Sequence, residues 1–71
     1  MTTEINLHTA RMMLNRDYDL RDWAEGYLKQ KERSAMSGMS DAEFEKHWRN
    51  VLPERMHEGA VEAVSAYLNR E

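Results

Sequence analysis

Leu20, Trp23, Ala24, Tyr27 and Leu28 fall at positions i, i+3, i+4, i+7 and i+8 of one short stretch. That spacing gathers all five apolar side chains on one face of an α-helix, whereas a strand would split them between its two faces. The same period returns in Phe44, Trp48, Val51 and Leu52, and again in Met56, Ala60, Ala63, Val64, Tyr67 and Leu68. Little interrupts it, since the 71 residues include one proline and three glycines, the two poorest helix formers. The expected fold is all-α: one helical domain over 1–71, a compact bundle of about four short helices at approximately 4–15, 20–33, 41–51 and 53–69.

Local chemistry supplies the expected ends. Asp19 is a good N-cap for the second helix. Ser40-Asp41-Ala42-Glu43 is a capping box, and Met39 with Phe44 fits the apolar staple that accompanies one. Pro53 disfavours helix at Leu52 and suits the first turn of a new helix, so the third helix is expected to stop there and a fourth to begin. Glu25 with Lys29, Glu45 with Arg49, and Glu43 with His47 stand at i,i+4 and are expected to pair along their own helices. Gly26 either permits a close backbone approach or is tolerated at a cost of about 1 kcal/mol relative to alanine. Gly59 and its neighbouring alanines are expected to let another helix come close. The 34–40 stretch reads as a connection.

The first element is ambiguous. Capped by Thr3 or Asn6, it carries Glu4, His8, Arg11 and Asn15 on a narrow polar face. The remaining arc of Ile5, Leu7, Ala10, Met12, Met13 and Leu14 spans roughly 220°, twice the minimum stripe of a surface helix. One flank is expected to meet the core, leaving Ile5 and Met12 without an internal partner. Residues 3–9 also alternate as a strand, but such a strand would need a second chain to satisfy its backbone.

Composition removes several chemistries. With no cysteine there is no disulfide, thiolate zinc site or thiol nucleophile, which fits a reducing cytoplasm. The net charge is −3, with bases interleaved among acids as in Arg16-Asp17 and Arg21-Asp22. That argues against a nucleic-acid partner, which calls for a basic patch. No apolar run approaches the roughly 20 residues of a membrane span, and the first residues lack the basic start of a signal peptide. The serines at 34, 37, 40 and 65 suggest no triad, and Ser37-Gly38-Met39-Ser40 lacks the glycines and lysine of a phosphate loop. The chain is therefore expected to be non-enzymatic, without a cofactor.

Two features remain. Glu54-Arg55-Met56-His57 is a Glu-x-x-His spacing of the kind that supplies ligands in di-iron bundles. One copy is half a site, so a metal reading needs a homodimer using Glu54 and His57, with Glu25 or Glu58 as further ligands. The plainer reading is an exposed first-turn glutamate and a histidine at the edge of the apolar stripe. The second feature is the methionines, five of them internal; this side chain fills irregular gaps and also furnishes adaptable binding surfaces. Trp23 and Trp48 lie on core stripes and are expected to be buried. Ile5, Met12, Met36 and Met39 are then the candidate partner-binding residues, forming an apolar patch for another protein or a second copy. The expected function is a small non-enzymatic protein-binding regulator or inhibitor, of the sort that phages and mobile elements encode, with the metal-binding homodimer as the alternative.

Overall fold

Asn6 starts the first helix: its side-chain oxygen accepts from the Thr9 N–H at 2.8 Å and satisfies one of the unpaired donors of the first turn. The computed structural model describes residues 5–70, so Thr3, Glu4 and the first turn expected from them lie outside it. Helix α1 covers Leu7–Arg16. Residues 7–9 are helical, which replaces the strand reading of that segment.

Helix α2 covers Tyr18–Ala35 and starts two residues earlier than expected. Its cap is Asp17, whose carboxylate accepts from the Leu20 N–H at 3.1 Å; Asp19 sits in the first turn instead, where a negative charge complements the helix dipole. The Asp17 N–H meanwhile donates to the Met13 carbonyl at 2.8 Å. One extended residue, at φ −107° and ψ 104°, closes α1 and opens α2.

Helix α3 covers Asp41–Glu58. The capping box is present, with the Glu43 N–H donating to Ser40 Oγ and the Ser40 N–H to Glu43 Oε1, both at 3.2 Å. The expected break at Pro53 does not occur: α3 runs through it, and the separate fourth helix from Pro53 is corrected. Proline removes one N–H from the ladder and crowds the preceding turn. Trp48, Leu52 and Met56 nevertheless continue one i,i+4 row across the site, and each packs in or against the core. Pro53 itself faces solvent. Tertiary packing of a continuous stripe outweighs the local penalty.

The chain breaks at Gly59, and α4 covers Ala60–Leu68. With φ at −92° the backbone there suits any residue, so the requirement is space. A Cβ at Gly59 would lie 2.9 Å from the Arg55 carbonyl oxygen and 2.9 Å from Leu28 Cδ2. This is the close approach expected of Gly59. Gly26 has nothing within 4 Å of its would-be Cβ and is merely tolerated.

Helix α2 packs against the other three, and α1 also leans on α4. The core joins Ala10 and Leu14 of α1, Leu20, Ala24 and Leu28 of α2, Phe44 and Trp48 of α3, and Ala60, Ala63 and Val64 of α4. The four alanines are fully buried and keep the helices close. Trp48 is buried as expected, while Trp23 is half-buried; it stacks on Tyr27 at 5.3 Å and meets the edge of Tyr67 at 5.4 Å. Two 18-residue helices, each about 27 Å long, belong to a body measuring 40 × 22 × 18 Å.

Candidate functional site

Because Asp17 alone joins α1 to α2, the last turns of the first helix and the first turn of the second face one hollow. The hollow has a volume of about 650 Å³ and is lined by Thr9, Met12, Met13 and Arg16 from one side and by Asp17, Tyr18 and Asp19 from the other. Met13 packs against the core, while Met12 is 37% exposed. Tyr18 is 84% exposed, the most exposed of the large apolar side chains that stand out from the core. Arg16 and Asp19 are exposed at opposite sides of the junction. Among the described residues neither takes part in an ion pair. The corner thus combines an aromatic knob, an adjacent methionine-lined hollow, one base and two acids, of which Asp17 is engaged as the cap of α2.

The four residues expected to bind a partner are not gathered on one patch. Met12 is at the corner. Ile5 is half-buried and packs against the core. Met36 and Met39 are half-buried against the core too, beyond the far end of α2, about 27 Å from the corner. Their loop is clamped by Arg33, whose guanidinium donates to the carbonyls of Met36 at 2.8 Å and Met39 at 3.0 Å, reaches Asp41 at 3.3 Å and lies over the Phe44 ring at 5.1 Å. Tyr18 is the residue that sequence reasoning misses. With the cap placed at Asp19 it falls outside the helix; with the cap at Asp17 it becomes the first helical residue, off the Leu20–Ala24–Leu28 stripe.

A second cluster lies between α2 and α3. Glu32 is buried, with 8% of its surface exposed. Arg55 donates through Nε to its Oε1 at 2.9 Å and through Nη2 to its Oε2 at 3.4 Å, and His47 Nε2 lies 2.6 Å from that same Oε2. The Arg55 bonds, and then the His47 bond, hold the Glu32 carboxyl below its ordinary range against the opposing effect of burial. The same pairing raises Arg55. His47 therefore serves Glu32 in place of the expected partner Glu43, which is occupied by the capping box. Lys29 likewise crosses from α2 to Glu45 of α3 at 2.8 Å, in place of the expected pairs within each helix. Glu62 on α4 binds Lys31 and accepts from the Tyr27 hydroxyl at 3.3 Å; Lys31 is the main cause of its lowered pKa. These contacts tie helix to helix. Both carboxylate oxygens of Glu32 face a cation or donor, which makes the cluster a clamp between helices.

Glu54 and His57 are both exposed and lie near the C-terminal end of α3, not in the first turn of a new helix. The His57 carbonyl accepts two bonds from the Arg11 guanidinium, at 3.0 and 3.3 Å, tying α1 to the end of α3. Among the described residues no group of three or more histidine, aspartate or glutamate side chains comes together as a metal site. No helix among them is long and apolar enough to cross a membrane. Compared with protein-family models, curated proteins and solved structures, the chain shows no match.

Proposed function

We propose that this chain is a small non-enzymatic binding protein, a regulator or inhibitor that docks a protein on the α1–α2 corner. The observation that carries the reading is Tyr18, left 84% exposed beside a hollow lined by Met12 and Met13. Tyrosine is a frequent anchor of protein interfaces because it offers a large rigid surface with a polar tip. Methionine offers a surface that repacks around what it meets. The corner calls for a partner with an apolar side chain to fill the hollow, an acid opposite Arg16 and a base opposite Asp19.

Site-specific photo-crosslinking tests this. A benzophenone amino acid replacing Tyr18 is expected to give a discrete adduct with a protein in the native host. The adduct should disappear when Met12→Asp is added, and should not form from the same group at exposed Lys46 on α3. Equal labelling from positions 18 and 46, or none from 18, overturns the reading.

A further inference from the structure

We infer that the occupant of the α1–α2 corner is a second copy of this chain, related by a two-fold axis; the inference rests on the docking reading above. The corner carries both halves of a complementary shape side by side. Tyr18 projects, and the hollow of about 650 Å³ beside it admits an aromatic ring. A two-fold axis through such a patch places the knob of each copy in the hollow of the other, and closes the assembly at two. Charge obeys the same symmetry. Arg16 ends α1 and Asp19 lies in the first turn of α2, on either side of the junction, and neither has an ion-pair partner among the described residues of its own chain. Across the axis each Arg16 faces the Asp19 of the other copy. With the Asp17 carboxylate held by the Leu20 N–H as the cap of α2, Arg16 and Asp19 are the charges left to pair, and each pairs with the other across the axis.

The corner also bounds the strength of the dimer. A standard stable interface takes about 800 Å² from each partner, a large share of a total surface of 5382 Å². The seven residues that line the hollow fall well short of the roughly 20–30 residues a side of such an interface. The dimer belongs to the weak class, dissociating at about 1–100 μM.

Sedimentation velocity over a concentration series tests the inference, with circular dichroism to confirm that each variant keeps its helicity. The unaltered chain is expected to dimerise reversibly in that range. Arg16→Asp and Asp19→Arg each set like charges against each other in their own dimer, and each should weaken it by at least about tenfold. An equimolar mixture of the two variants restores both opposite-sign pairs, because the acid introduced at 16 then meets the base introduced at 19, and should recover the dimer. A chain that stays monomeric to about 1 mM, a dimer indifferent to both reversals, or a mixture that fails to recover overturns the proposal. An adduct from position 18 made only with a different protein, beside a monomeric chain, overturns the second copy and leaves the docking reading standing.

Discussion

Arg55 of α3 holds Glu32 of α2 through Nε at 2.9 Å, across a helix interface where the glutamate is otherwise cut off from water. The two partners are not equivalent. Removing Arg55 leaves a buried carboxylate with only His47 to answer it, whereas removing Glu32 leaves a guanidinium that can turn to solvent. Arg55→Met is therefore expected to lower the thermal midpoint more than Glu32→Met, which replaces a buried charge by a side chain of similar length. Equal losses in the two melting curves would show that Glu32 is better hydrated than its position implies.

Acid should loosen this clamp. Because the folded-state pKa of Glu32 is depressed below its ordinary 4.5, the folded chain prefers the ionised form. The stabilisation is complete above the unfolded value and is lost as pH falls through the folded one. Glu62 and the exposed Glu43 shift in the same direction. Urea midpoints should hold from neutral pH to about 5 with respect to these groups and fall below it. Glu32→Gln should start lower and show a shallower acid limb; an unchanged slope would remove Glu32 from the titration.

The two glycines of α2 and the α3–α4 break should respond oppositely to the same substitution. Gly59→Ala presses a methyl group against Leu28 and a backbone oxygen, and is expected to cost about 1–3 kcal/mol. Gly26→Ala meets nothing and should stabilise by about 0.4–1 kcal/mol through its helix propensity and a less flexible unfolded chain. Denaturant titration measures both.

Pro53 separates two accounts of the third helix. If it lies inside a continuous helix, as the structure has it, Pro53→Ala restores an N–H to the ladder and should stabilise by about 1–2 kcal/mol. If it opened a new helix, alanine would be neutral or slightly worse. Chemical denaturation of the single variant decides between them.

The stripes Leu20–Ala24–Leu28 and Phe44–Trp48 were legible because period and burial agree there, and the capping box because all its contacts fall within four residues. Pro53 misleads because its penalty is local, whereas the Trp48–Leu52–Met56 row that outweighs it spans two turns and counts only once the core is assembled. Asp17 and Asp19 are equally good caps by composition; the choice between them depends on where α1 ends, and that depends on Ala10 and Leu14 reaching the core. Glu32 was invisible for a different reason. Its partners lie 15 and 23 residues away, and a glutamate on a helix reads as solvated until those partners are placed. The corner was half legible: the spare flank of α1 pointed to Met12, but nothing local marks Tyr18.

A junction of one residue has no slack. The angle between α1 and α2 is set by the two torsions of Asp17, whose N–H terminates one helix while its carboxylate initiates the other. Neither end can fray alone, because unwinding the last turn of α1 pulls on the residue that caps α2. Backbone amides on both sides of position 17 should then exchange with deuterium through a common opening event. Whatever grips Met12 and Tyr18 meets their backbones at a spacing already fixed, and the ordering left for binding is that of the two side chains.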